Sequence, residues 1–170
     1  MSFLEAQLVY ARRANDRRAM TTPDQNGQLP LHRALHDKAT FGAIKLLVNG
    51  NPAALQVADN LGRFPLHIAC ESSAVEVVKY LVELDSTRLN DCDVNGNSPL
   101  HCACLVGNCG VIKYLLERHV RSISEGNAAN KLPIHLLLCD CGEDTVDRES
   151  PEYLETIWRL LLAHPETLFN

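Results

Sequence analysis

The chain has 170 residues, 46% apolar and 22% charged, a balance that belongs to a folded protein rather than a disordered one. Sixteen Lys+Arg against twenty-one Asp+Glu leave a net charge of −5, which speaks against a dedicated nucleic-acid binder. No apolar run approaches the ~20 residues that span a bilayer, and the opening MSFLEAQLVYARRAND has no basic lead into an apolar stretch, so no secretory signal is expected. Seven cysteines, an odd number without a disulfide rhythm, are read as reduced thiols in the cytoplasm, with the nucleus as the other compartment.

Residues 1–23 come first. Ser2 and Glu5 form an S-x-x-E capping box, followed by Leu4, Leu8 and Ala11 on one helical side and by Arg12, Arg13, Arg17 and Arg18. The expectation is a helical cap or half-repeat with a polar outer face. Four phased segments follow: DQNGQLPLHRAL from Asp24, DNLGRFPLHIAC from Asp59, DVNGNSPLHCAC from Asp93 and NAANKLPIHLLL from Asn127. The prolines Pro30, Pro65, Pro99 and Pro133 recur 35, 34 and 34 positions apart. The modules are therefore 24–58, 59–92, 93–126 and 127–170, the last with an acidic insertion near 140–151.

Each module reads as a turn, a short helix and a second helix. Gly27, Gly62 and Gly96 are placed to supply the positive φ of the turn, and Asn130 takes that place in the fourth. Proline suits the first helical position, where an N–H has no partner anyway. Leu31, Leu66, Leu100 and Ile134, with Ala34, Ala69 and Ala103 three residues on, make one narrow buried stripe that Leu137 interrupts. The second helix recurs as IKLLV from Ile44, VKYLV from Val78, IKYLL from Ile112 and IWRLL from Ile157. Two short helices cannot bury enough surface alone, so the modules must stack: an all-α repeat solenoid of helix-turn-helix units.

LPLH, FPLH, SPLH and LPIH, each after a D-x-x-G-like turn, resemble the T-P-L-H-x-A signature of ankyrin repeats over residues 24–170. The resemblance implies β-hairpin-like fingers and a concave face that holds a partner protein. Two departures stand out. The motif threonine is replaced by Leu29, Phe64, Ser98 and Leu132, so only Ser98 can cap its helix, and the glycine between the helices survives only as Gly107.

Carried over by phase, the partner-binding positions are Gln25, Asn26 and Gln28, then Asn60, Leu61 and Arg63 from the second finger. The third finger gives Val94, Asn95 and Asn97, and the fourth gives Lys131. From the helices come His36, Asp37, Glu71, Ser72, Leu105, Val106 and Asp140. Leu61, Arg63, Glu71 and Leu105 are expected to make a central hot spot. These neutral amides and scattered apolar side chains suit a protein partner better than phosphates.

His32, His67, His101 and His135 hold one repeated position, so they are read as structural, each bonding a turn backbone group, and not as four catalytic sites. Cys102 and Cys104 point ~200° apart on a helix and cannot share an ion, so no metal is expected. No nucleophile, phosphate-loop or dinucleotide motif is present, so neither a cofactor nor an enzymatic activity is expected. The carboxylates Glu143, Asp144, Asp147 and Glu149 read as a solvated loop. A protein-interaction scaffold or adaptor is the first functional expectation. A repeat segment of a larger signalling or membrane protein and a small enzyme inhibitor are the alternatives, and the apolar fourth module adds the expectation of end-on self-association.

Overall fold

The computed structural model describes residues 17–72, 74–118, 121–140 and 147–163, and the chain divides into two compact units, 1–88 and 89–170. The first unit holds α1 (Arg17–Thr21), α2 (Pro30–His36), α3 (Phe41–Gly50), a 3-10 turn (Pro52–Gln56), α4 (Pro65–Ser72) and α5 (Val75–Leu84). A 3-10 turn (Thr87–Asn90) leads into the second. That unit holds α6 (Pro99–Leu105), α7 (Cys109–Glu117), a 3-10 turn (Arg121–Ile123), α8 (Pro133–His135) running on as a π turn (Leu136–Asp140), and α9 (Pro151–Ala163). The fold is of the all-α repeat solenoid class, with no strand among the described residues.

Proline begins α2, α4, α6 and α8, as its missing N–H allows. The residue before it is held extended, with Leu29 at φ −74°, ψ 161° and Ser98 at φ −79°, ψ 168°. That is the conformation proline imposes on its predecessor, and it stops each helix from starting earlier. In the first unit, Leu31, Ala34 and Leu35 of α2 and Leu66, Ile68, Ala69 and Cys70 of α4 are buried, beneath Ile44, Leu47, Val78 and Leu81 of the second helices. The alanines are fully enclosed, which lets neighbouring first helices approach closely. Burial pushes the Cys70 thiol up, so it is a small core side chain rather than a nucleophile.

The second unit repeats this plan around Leu100, Ala103, Ile112, Leu115, Ile134 and Leu137. Leu137 stands where the other modules carry alanine, and there the helix loosens to a π turn. The buried Tyr153 hydroxyl donates to the Leu137 carbonyl oxygen at 2.9 Å, giving it a partner from α9. Ser150 opens α9 by accepting the Tyr153 N–H at 3.2 Å. Gly107 turns α6 into α7 at φ 67°, and Lys38 holds the matching left-handed turn between α2 and α3 at φ 53°. The Ser2–Glu5 capping box, Arg12, Arg13, Cys141, Glu143 and Asp144 lie outside the described residues. Residues 17–21 close on the first module, where the Asn51 side-chain amide donates to the Met20 carbonyl at 3.1 Å.

Candidate functional site

The four finger turns share one construction. A side-chain oxygen of the opening residue accepts two backbone N–H groups. For Asp24 they are those of Asn26 and Gln28 at 2.8 and 2.9 Å, and for Asp59 those of Leu61 and Arg63 at 3.0 and 2.9 Å. Asp93 takes Asn95 and Asn97, both at 2.8 Å, and Asn127 takes Ala129 and Lys131, both at 3.0 Å. This is the aspartate/asparagine turn that replaces a strand ladder with a local one. The amides of Gly27, Gly62, Gly96 and Asn130 then bond back to the opener's carbonyl. All four lie at positive φ, from 55° to 75°, as the pattern requires.

Within each unit the fingers are joined by backbone. The Asn60 N–H donates to the Asn26 carbonyl at 3.0 Å, and the Ala128 N–H to the Asn95 carbonyl at 2.9 Å. The glycines make this approach possible. A Cβ on Gly27 would strike Asn60, and one on Gly96 would lie 2.6 Å from the Ala128 backbone nitrogen. Gly96→Ala is therefore expected to cost about 3 kcal/mol, the left-handed strain plus the clash with a backbone that cannot give. Gly42→Ala meets nothing within 4 Å in α3 and is expected to stabilise by up to ~1 kcal/mol. Urea unfolding of the two variants measures both.

The repeated histidines anchor the fingers from behind. His32 Nδ1 accepts the Leu29 N–H at 3.1 Å and His67 Nδ1 the Phe64 N–H at 3.2 Å. His101 and His135 do the same for Ser98 at 3.3 Å and Leu132 at 3.0 Å. The other ring nitrogen then carries the proton: His32 Nε2–H donates to the Val57 carbonyl at 3.1 Å and His101 Nε2–H to the Lys131 carbonyl at 3.2 Å. Each of these two rings bonds the start of its own helix with one nitrogen; with the other, His32 reaches the approach to the second finger and His101 the fourth finger itself. The histidine also makes good part of what replacing the motif threonine removes, since it gives the helix-opening N–H a partner that leucine and phenylalanine cannot.

In the first unit a group of charged side chains gathers on Asp59. Arg63 Nε and Nη2 reach Asp59 Oδ2 at 3.1 and 2.9 Å, its Nη1 lies 3.8 Å from Glu71, and the Gln28 amide reaches the same aspartate at 3.4 Å. Asp59 is only 6% exposed. Burial alone would raise its pKa, but the Arg63 backbone N–H, the guanidinium and the Gln28 amide outweigh that and hold it below the usual carboxylate value. Arg63 is thus a clamp on its own finger.

The sequence-derived site residues separate accordingly. Gln25, Asn26, Asn60, His36, Asp37 and Asn95 are exposed, and Leu61 and Val94 are 49% and 62% exposed. Leu105 is exposed at the end of α6, and Val106 and Lys131 are half-buried. Gln28 is buried on Asp59, and Asn97 is held by Asp93 and by the Asn127 amide at 2.9 Å. The Ser72 hydroxyl lies 2.7 Å from the Leu35 and Ile68 carbonyl oxygens, facing inward. The Asp140 side chain is outside the described ones. Leu61, Arg63 and Glu71 belong to the first unit and Leu105 to the second. Sequence reasoning missed the role of Asp59, although its pairing with Arg63 at i+4 was a readable signal.

No curated protein matches the chain closely enough to count as a relative. A family model does: ankyrin repeats (3 copies), matched over residues 31–127. That span takes in the second and third Asx-turn fingers, the proline-led helices α4 and α6, and three of the four anchoring histidines. Its members are in general modules for protein–protein interaction, and this chain belongs to the ankyrin-repeat family.

Proposed function

We propose that this protein is a non-catalytic adaptor that holds a partner protein against its finger tips and the ends of its first helices. The observation that carries the reading is the exposure of Leu61 and Val94 on turns locked from beneath. An apolar side chain kept in water on a backbone with its own hydrogen bonds satisfied needs no reorganisation on binding, so little ordering cost offsets the contact. Asn60 and Asn95 beside them offer neutral donors and acceptors, the polar rim that a protein interface uses.

A reducing compartment, cytosolic or nuclear, belongs to the same reading. Among the described residues Cys70, Cys92, Cys102, Cys104, Cys109 and Cys139 are all free thiols. No helix of the described residues is long and apolar enough to cross a membrane.

Site-specific photo-crosslinking in the native cell tests the proposal, with the reactive group placed at 61, at 94 and at the exposed α5 position Glu76. A common partner band at 61 and 94 is expected, absent at 76, and lost when the other finger carries Leu61→Asp or Val94→Asp. Crosslinks confined to position 76 would move the site to the second helices.

A further inference from the structure

The 3-10 turn Arg121–Ile123 leads from the second helix of the third module toward the fourth finger, and Ser124 closes it. The Arg121 N–H ties the turn back to its unit by donating to Asn90 Oδ1 at 2.9 Å. The Ser124 N–H donates to the Arg121 carbonyl at 3.2 Å, and the Glu125 N–H to the Ser122 carbonyl at 3.4 Å. In a turn of this kind residues three apart project from the same side. Arg121 and Ser124 are both exposed, while Ser122 between them is 1% exposed. One guanidinium and one hydroxyl therefore share an outward face, and the other hydroxyl is sealed in.

Of the eight serines in the chain, Ser124 is the one with an arginine three positions before it. Among the described residues the Arg121 guanidinium has no carboxylate partner. The turn also opens readily. Its backbone bonds are at or beyond the long end for N–H···O contacts. The buried Ser122 hydroxyl has no hydrogen-bond partner among the described residues, an imbalance that ends when the turn swings out and water reaches it. Such a segment belongs to the low-stability end of a fold and extends into an enzyme's groove at little cost.

We propose that Ser124 accepts a phosphoryl group from ATP, transferred by a serine kinase that reads Arg121. An acidic pocket on the kinase takes the guanidinium and so delivers the hydroxyl three residues on. The Ser124 Oγ bonds to the γ-phosphorus, the bond from that phosphorus to the β,γ-bridging oxygen breaks and ADP leaves. The hydroxyl proton passes to the kinase's carboxylate base. The product carries a charge of about −1.5 to −2 at neutral pH, with Arg121 as its counter-charge. Glu125 follows directly, and its charge already acts with those of Asp93 and Asp91 on Cys92, whose thiol is held up first by burial and then by these carboxylates. Modification thus makes the lead into the fourth finger more acidic, beside the opener of the third.

The purified full-length chain is incubated with Mg-ATP and a purified serine kinase selective for arginine three residues before its acceptor, and peptide mass spectrometry locates the phosphate. One phosphate per chain, at Ser124, is expected. Ser124→Ala abolishes it, Ser122→Ala leaves it, and Arg121→Gln lowers the rate roughly thirtyfold, with the helical circular dichroism unchanged in all three. Thr21 is the internal comparison: Arg18 stands three residues before it, but its hydroxyl donates to the Arg18 carbonyl at 3.2 Å in α1, and it is expected to stay unmodified. Protein isolated from the native cell with phosphatases inhibited is expected to carry the same Ser124 phosphopeptide. A native chain that takes up no phosphate, label at Ser122 or Thr21 in place of Ser124, a rate indifferent to Arg121→Gln, or cell-derived protein phosphorylated elsewhere but not at Ser124 would each overturn the proposal.

Discussion

Replacing Asp59 with alanine is expected to destabilise the first unit by about 3 kcal/mol, and replacing it with asparagine by only about 1 kcal/mol. The carboxylate performs two tasks that the two variants separate. One oxygen accepts the Leu61 and Arg63 N–H groups and shapes the finger, while the other accepts the Arg63 guanidinium and the Gln28 amide. Alanine leaves both sets of donors without an acceptor and leaves a guanidinium with its principal counter-charge gone. Asparagine keeps the first task, and the fourth finger shows that an amide is enough for it, because Asn127 holds the Ala129 and Lys131 N–H groups at 3.0 Å with no charge. Thermal unfolding gives the two differences, and hydrogen exchange at the amides of Leu61 and Arg63 places them in the finger. Equal losses in the two variants would mean that the charge, and not the turn, carries the stability.

That contrast also marks how far the sequence can be read. The turns and helix starts were legible because their chemistry is short-range. An aspartate reaches two to four residues ahead, a glycine or Asn130 turns where it stands, and a proline sets its own φ. The histidine position was legible for a different reason: its fourfold repetition pointed to one recurring bond to the turn backbone before any geometry was known. What escaped is decided by the neighbouring module. Gln28 has the look of a finger residue like Gln25, yet Asp59, 31 positions away, draws its amide inward. Asn97 is held by Asn127 in the same way, 30 positions away. Arg63, expected as an anchor for a partner, is engaged within its own finger, so Arg63→Ala would test folding before it tested binding. The pairing of α9 with α7 through Lys113, which bonds Glu155 at 2.8 Å, was likewise beyond periodicity, which places residues on a face but does not say what the face meets.

Lowering the pH from 7.5 to 5 is expected to destabilise the protein well before its carboxylates titrate, and His101 is expected to account for much of the effect. Burial holds the His101 ring below its ordinary pKa of 6.5, against the opposing pull of the Lys131 carbonyl, and burial does the same to His32 against the charge of Asp59. In both rings Nδ1 already faces a backbone N–H, so a second proton would set donor against donor. The unfolded chain meets no such obstacle and takes up protons as the pH drops below ~6.5. Its greater proton uptake makes stability fall as pH falls, beginning at the unfolded value and continuing down to the depressed folded one. Each histidine contributes at most about 1.4 kcal/mol per pH unit within that window. Asp59 and Glu155, also depressed, lose their contributions only below the carboxylate range, so the interval from 6.5 to 5 isolates the imidazoles. His101→Ala is expected to cost about 3 kcal/mol at pH 7.5, because it unpairs the Ser98 N–H, takes one of the two donors from the Lys131 carbonyl, which keeps the Asn127 N–H, and leaves a cavity. His101→Asn keeps an acceptor for Ser98 and cannot titrate, so its loss should be smaller and its melting temperature should fall less steeply between pH 6.5 and 5 than that of the wild type. An unchanged slope in that variant, or a wild-type protein whose stability is flat from pH 7.5 to 5, would show that these rings protonate without disturbing the fingers they hold.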